Sequence, residues 1–435
     1  MHIDMAQPLP STADIHPGSE RFPIARLGHR DGGHHFFGYY NKSPWHAKGG
    51  RVLANRVDVM QAELGPHFAA QVGYFDLRGE GGFHAFGETT TWNFQMGCQL
   101  QWLENTRSSV IYNTRCFTPK AVYPDFASTV LDLETGQSRQ LPLPVYVVAP
   151  SGAYALCISY DRLQQAHPTI GYLPHTARTA LALAPADDGI RRMDLASGEH
   201  ALVVSLQQLR QFQPVASMDK AFHWVTHLEI APDSGRFLFL HRWTECFEDE
   251  TRWLHRLMTA DADGGNLTLL ECGDHPLPPL PEPGAPAAGI FDYEKATWQI
   301  SHPAWKDDRQ IIVWGPHHAQ ARYHLYTDRS DAVEVIGEGV LTENGHMTYS
   351  PCGRWILSDT YPDDTDHRLL IVFDTRSGQV HELARLYTDP ALGKVNRCDL
   401  HPRWSRDGRQ VCIDSVHEGE RQMYVVDVGR LYAGD

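Results

Sequence analysis

Residues 401–414 read HPRWSRDGRQVCID: a histidine, a short apolar segment ending in tryptophan, a polar turn and a second strand-like run. Asp and Gly between apolar segments are hairpin-turn chemistry. The pattern recurs as HLEIAPDSGRFLFL (227–240), HPAWKDDRQIIVW (302–314) and HMTYSPCGRWILSD (346–359). Weaker copies are YYNKSPWHAKGGRVLAN (39–55), QLQWLENTRSSVIYN (99–113) and VYVVAPSGAYALCIS (145–159). A second unit follows each copy: an apolar strand ending in Asp, a turn, and another short strand. Its aspartates are Asp76, Asp132, Asp194, Asp261, Asp328, Asp374 and Asp427, about 45–70 residues apart.

Two hairpins per repeat, seven times over, predict an all-β fold, a seven-bladed β-propeller of four-stranded blades. The last repeat lacks a fourth strand, and RFPIARLG (21–28) can supply it, closing the ring and removing an open sheet edge. The expected organisation is a disordered lead-in over 1–20 and a single propeller over 21–435. Seven matched units argue against a tandem of β-sandwiches. Helical periodicity is scarce, with SLQQLRQF (205–212) the best candidate.

Composition narrows the function. The chain has 435 residues, 42% hydrophobic and 21% charged, with a formal net charge of −15. That balance disfavours nucleic-acid binding, and an anionic substrate would need a locally positive pocket. No apolar run approaches the ~20 residues of a membrane helix, so no membrane partner is expected. The N-terminus lacks the basic flank and apolar stretch of a signal peptide. With eight scattered cysteines and no CxxC pair, this points to the reducing cytoplasm. A monomer or weak homo-oligomer is expected.

Aligning the repeats places Tyr39, Gln99, Val145, His227, His302, His346 and His401 at one equivalent position. Blade-to-blade packing can use the aromatic residue that follows. It does not specially require imidazole, whereas metal binding or proton transfer does. The ends of the second strands, including Asn113, His241, Asp359 and Asp414, should fall on the same face. Polar groups from several blades therefore converge on one rim of the channel. No GxSxG elbow, Walker A loop, strand-linked GxGxxG or HExxH is present.

HLEIAPDSGRFLFLHRW, SHPAWKDD, GHMTYSPCGRWILSDTYPD and RCDLHPRWSRDGRQVCIDSVHEGERQMYVVDV resemble the propeller polysaccharide lyases, the oligogalacturonate and ulvan lyases. TWNFQMGCQLQWL (91–103) and SVIYNTR (109–115) extend the resemblance toward the N-terminus. It implies β-elimination on a uronic-acid-containing glycan, which needs a cation to neutralise the carboxylate, a base for the C5 proton and an acid for the leaving oxygen. Carried over, His302, His346 and His401 are metal ligands. The metal is Mn²⁺ or Zn²⁺, with Ca²⁺ the alternative. His227 is the catalytic base or a fourth ligand, Tyr160 or Tyr172 the acid, and Arg242 the carboxylate clamp.

Tyr39 and His241, on the expected rim, are taken as substrate-binding. Asn93 and Asn113 stand where the ulvan-type histidine pair aligns; asparagine can hydrogen-bond a carboxylate but is no base near neutral pH. Asp399 and Leu400 stand where an oligogalacturonate-type glutamine would precede the last metal histidine. Two readings compete. A non-catalytic TolB-like propeller would bind a glycan or protein partner. A propeller glycoside hydrolase would want two opposed carboxylates.

Overall fold

In a computed structural model, seven antiparallel sheets, six of four strands and one of five, follow one another in chain order as the blades of a propeller. The structure describes residues 15–16 and 21–432, except 80, 176–180, 248, 274–297 and 319. Blade 1 runs from His34–Phe36 to Phe83–Thr89, blade 2 from Gln101–Trp102 to Ser138–Leu141, and blade 3 from Val147–Val148 to His200–Ser205. Blade 4 runs from Phe222–Ile230 to Thr268–Cys272, blade 5 from Ser301–Trp305 to Val333–Ile336, and blade 6 from Thr348–Tyr349 to Val380–Tyr387. Blade 7 takes three strands from the C-terminal end and its fourth, Ile24–Arg26, from the N-terminal end.

The closing strand lies where the sequence placed it, with Ile24 opposite Val426 and Arg26 opposite Tyr424. Ile15–His16 adds a further short strand against Ile24–Ala25, inside the stretch expected to be a disordered lead-in. Residues 1–14 and 17–20 of that stretch lie outside the described residues. The helix Leu206–Gln211 forms within SLQQLRQF, its N-terminus capped by the Ser205 hydroxyl, which accepts from the Gln208 N–H. Among the described residues the eight cysteines form no disulfide. No helix among the described residues is long and apolar enough to cross a membrane.

The recurring tryptophans pack blade on blade. Trp102 Nε1 donates to the Pro44 carbonyl of blade 1, Trp305 Nε1 to the Glu229 carbonyl of blade 4, and Trp404 Nε1 to the Thr348 carbonyl of blade 6. Each indole buries its rings at a blade interface while its one polar atom is satisfied by the preceding blade. The repeated aromatic is thus a packing residue, which leaves the repeated histidine to be explained.

Candidate functional site

The histidines do not simply begin strands. In blade 4 the inner strand starts at Phe222, and the register jumps from Thr226 opposite Leu240 to Glu229 opposite Leu238. His227 and Leu228 therefore share one partner position, which is a β-bulge. Blade 5 repeats it, with Ser301 opposite Trp314 and Ala304 opposite Ile312, leaving His302 and Pro303 in the bulge. In blade 7 the Asp414 N–H bonds the Leu400 carbonyl while Arg403 pairs with Cys412, so His401 and Pro402 are the extra pair.

The first bulge residue is left-handed: φ is 56° at Gln99, 55° at His227, 53° at His302 and 42° at His401. Glycine normally fills such a position, and a non-glycine residue there costs about 1–3 kcal/mol. The bulge turns the side chain out of the strand's alternation and toward the axis. Three imidazoles are therefore held at a backbone site that disfavours them. His346, at the equivalent place in blade 6, keeps a negative φ.

A bulge leaves backbone N–H groups without ladder partners. Polar residues at the ends of the second strands supply them. Asp359 accepts the N–H of His346 (2.7 Å) in its own blade and that of His401 (3.2 Å) in the next. Asp414 likewise accepts from Phe37 and Gly38 (3.2 and 3.1 Å) and pairs with Arg403. Asn113 accepts the Val145 N–H and donates to the Val145 carbonyl. These groups clamp adjacent blades, and Asp359 and Asp414 are both committed to backbone, unlike the opposed pair of a hydrolase.

Blade 1 departs from the bulge. Its chain leaves the sheet after Phe36 and crosses the axis before returning at Trp45, which bridges to Val52. Gly38 makes the departure possible: its φ is 121°, and a Cβ there would lie 2.7 Å from the Met96 backbone. The excursion carries Tyr39, whose hydroxyl lies 2.6 Å from His227 Nε2, and Tyr40, whose hydroxyl donates to the Pro303 carbonyl at 2.9 Å. Residues of blade 1 thus floor the pocket by bonding blades 4 and 5 across the channel.

Tyr39, His227, His302, His346 and His401 meet in one buried cluster. Ring centroids are 4.0 Å apart for His302 and His346, 4.4 Å for His346 and His401, 6.0 Å for His227 and His302, and 5.0 Å for Tyr39 and His401. All four histidines are 2–4% exposed. Burial, with help from neighbouring positive charge, pushes His227, His302 and His401 well below the usual imidazole range, so they are neutral at neutral pH. Burial likewise raises the Tyr39 hydroxyl well above its ordinary value and keeps it protonated.

Hydrogen bonds set the tautomers. His346 Nδ1 lies 2.9 Å from Asp359 Oδ1 and His302 Nδ1 lies 3.1 Å from Asn344 Oδ1. In both rings Nδ1 donates to the oxygen, which leaves Nε2 as the atom that can face a ligand. His227 Nδ1 bonds Thr226 Oγ1 at 2.8 Å.

Among the described residues, one triplet has donor atoms close enough to share a metal: His346, Asp399 and His401, all within 4.8 Å of one another. His401 Nε2 is buried with no hydrogen-bond partner among the described residues, 3.8 Å from Asp399 Oδ2. Burial alone would raise the Asp399 carboxyl, but the guanidiniums of Arg397 (2.8 Å) and Arg368 (2.6 Å) outweigh it and hold it well below the usual carboxylate range. Two imidazoles and an ionised carboxylate fit Mn²⁺ or Zn²⁺ and not the oxygen shell that Ca²⁺ prefers. Asp399 was not among the sequence candidates, although its place two residues before His401 was a usable signal. His302 lies beside this triplet, ring to ring with His346, rather than within it.

Arg242 lies at the pocket, with Nη1 3.5 Å from His167 Nδ1, and its charge helps depress both His227 and His302. Tyr160 and Tyr172 stack on each other at 4.1 Å, and their hydroxyls donate to the carbonyls of Val145 and Gly97. They adjoin the pocket through Tyr146, whose hydroxyl accepts the His227 N–H. Asn93 forms a local turn with Gln95 and Met96 and donates to Gly171. His241 sits between His223 (2.9 Å) and Arg256 (3.0 Å) in the interior of blade 4. None of these last four, nor Asn113, has a described contact with the imidazole cluster.

The segment 393–397 spans the mouth above the histidines. It is tied to blade 1 by the Ala62 N–H on Asn396 Oδ1, to blade 2 by Gln95 Nε2 on the Arg397 carbonyl, to blade 7 by Arg421, and to blade 4 by an ion pair of Lys394 with Glu250. Arg242, Lys394 and Arg397 bring positive charge to this end of the ring, where all three help to depress His167.

No family model and no curated protein matches this sequence. Among solved structures, the chain is similar to an oligogalacturonate lyase from Vibrio parahaemolyticus, at 12% identity over 96% of this chain and 97% of that one, with a TM-score of 0.62. It is also similar to an oligogalacturonate lyase in complex with manganese, at 14% identity over 95% of each chain, with a TM-score of 0.60. TolB from Acinetobacter baumannii aligns at 11% identity over 88% of this chain and 79% of that one, with a TM-score of 0.40. At these identities the likeness is one of fold: a seven-bladed propeller.

Proposed function

We propose that the protein is a lyase that cleaves a uronic-acid-containing oligosaccharide by β-elimination. The observation that carries this reading is the meeting of a Tyr39–His227 pair with the His346–Asp399–His401 triplet in one buried, cation-rimmed pocket. The similarity of fold to oligogalacturonate lyases supports it. His346, Asp399 and His401 would hold a divalent metal, with Asp359 orienting His346. When bound, such an ion neutralises a uronate carboxylate and so acidifies the adjacent C5–H.

The chain's own groups supply the proton transfers. Once the Tyr39 O–H turns from His227 Nε2 to the glycosidic oxygen, neutral His227 takes the C5 proton on Nε2, the C5–H electrons form the C4–C5 double bond, and the C4–O bond breaks. Protonated Tyr39 gives its proton to the departing glycosidic oxygen. His227 then returns a proton to Tyr39 across the 2.6 Å that separates them, and the pair is reset. Arg242 and Arg397 hold the substrate anion at the rim. Tyr39 thus takes the acid role that the resemblance assigned to Tyr160 or Tyr172, because its hydroxyl is the one in contact with the imidazole cluster. The site of action in this reading is the cytoplasm, where eight cysteines without a disulfide among the described residues are at home; the substrate is an oligosaccharide, not nucleic acid or membrane, and the protein acts as a monomer or weak homo-oligomer.

The test is incubation with a panel of uronate oligosaccharides, with Mn²⁺ supplied, while following the ultraviolet absorbance of an unsaturated uronate. The expected result is a rise that Tyr39→Phe and His227→Ala abolish, with metal content by elemental analysis lost in His346→Ala. New reducing ends without absorbance would mean hydrolysis. No product across the panel would leave a binding propeller. Either result sinks the reading.

A further inference from the structure

The four histidines are 2–4% exposed, so no sugar reaches them in this arrangement, and the segment 393–397 adjoins the site through Arg397, which pairs with Asp399 at 2.8 Å. That segment is lightly packed on one side. The helix Gly393–Asn396 buries none of its residues, whereas Leu392, just before it, is anchored in an apolar cluster with Cys398 and Val416. Gly393 joins the two with φ 59° and ψ −170°, a conformation open essentially to glycine alone, and nothing lies within 4 Å of the position a Cβ would take. Of the four ties named above, three are made with blades 1, 2 and 7. The fourth, Lys394 with Glu250, reaches blade 4 on another side of the ring.

The two partners of that ion pair differ in access. The Glu250 side chain is 6% exposed and the Lys394 side chain 37%. Lys394 lies 6.0 Å from the Trp253 ring, which packs on His167 beside Arg242. An incoming anion therefore meets the ammonium of Lys394 from solvent, and it offers the same chemical group that Glu250 already provides.

Resting on the lyase reading above, we propose that the Lys394–Glu250 pair is a latch over the histidine pocket, opened when a substrate carboxylate replaces that of Glu250 on Lys394. Glu250 is then an internal competitor of the substrate, and Lys394 a specificity residue for acidic sugars. A neutral oligosaccharide has nothing with which to displace Glu250, so the latch selects for charge before the substrate meets the imidazoles.

The experiment compares Glu250→Gln and Lys394→Gln in the full-length protein. Hydrogen–deuterium exchange of residues 393–397, measured without substrate, should quicken in both variants, because either change releases the latch. The KM for a uronate oligosaccharide should move in opposite directions. It should fall about two- to fivefold in Glu250→Gln, the range of a partly exposed ion pair, and rise in Lys394→Gln, with kcat little changed in the former. A purely structural pair would shift KM the same way in both. Unchanged exchange in both variants, or KM values moving together, overturns the latch. A wild type that turns over no uronate overturns the lyase reading and the displacement step with it, while the exchange comparison still decides whether the pair holds the mouth shut.

Discussion

The left-handed bulge makes a prediction that separates backbone strain from chemistry. His227 has φ 55°, while His346, its counterpart two blades on, has a negative φ. Replacing His227 by alanine removes the imidazole but keeps a Cβ in the left-handed region, which costs about 1–2 kcal/mol. Replacing it by glycine removes the same ring and also the strain, at an entropic cost of roughly 0.5–1 kcal/mol in the unfolded chain. His227→Gly should therefore be more stable than His227→Ala by up to about 1.5 kcal/mol. At His346 the relief is absent, so His346→Gly should be less stable than His346→Ala by about 0.5–1 kcal/mol. Loss of ring packing and of the hydrogen bonds to each ring is common to both members of a pair and cancels. Urea midpoints at constant m-value measure each difference. The same sign at both positions would refute the claim that the histidines are held against a backbone preference for glycine.

Burial pushes His35 and His223 down to about 4 from 6.5, and neither lies in the imidazole cluster. Because the unfolded chain then binds more protons than the folded one, stability is full above about pH 6.5 and falls between there and pH 4, by about 1.4 kcal/mol per pH unit per group. Urea titrations across that window should show the fall, and His35→Asn should lessen the slope; an unchanged slope would contradict the assignment. Gly38→Ala places a side chain against the Met96 backbone at φ 121° and should cost about 1–3 kcal/mol of stability. It should also weaken the Tyr39–His227 contact, read as lost activity in a variant that still folds.

The blades were legible because strands, turns and their repetition are local properties of the chain. Alternating apolar residues and Asp-Gly turns mark each hairpin wherever it ends up. The tryptophans were legible for the same reason: one apolar anchor per repeat, each meeting the preceding blade. The four histidines were visible as an oddity, and their equivalence survived into three dimensions. The bulge was not visible, since a two-for-one register is a relation between strands. Tyr39 looked like another rim residue. Its contact with His227 depends on a crossing of the axis that only Gly38 hints at. His241 carried the right letter in the right column, yet the pleat turns it into blade 4 toward His223 and Arg256. Asn113, read as a carboxylate binder, is occupied with the backbone of Val145.

A closed ring of seven blades, and a histidine repeated at one place in four of them, can be read from the chain without its fold, because both follow from a pattern that each repeat carries alone. Only the tertiary structure decided which groups meet. Ring closure brings residues hundreds of positions apart, Tyr39 and His401 among them, to within one ring contact of each other. Bulges aim the side chains at the axis, and Asp359, Asp399 and the segment 393–397 orient, charge and cover them. Those are long-range contacts, and no local periodicity encodes them.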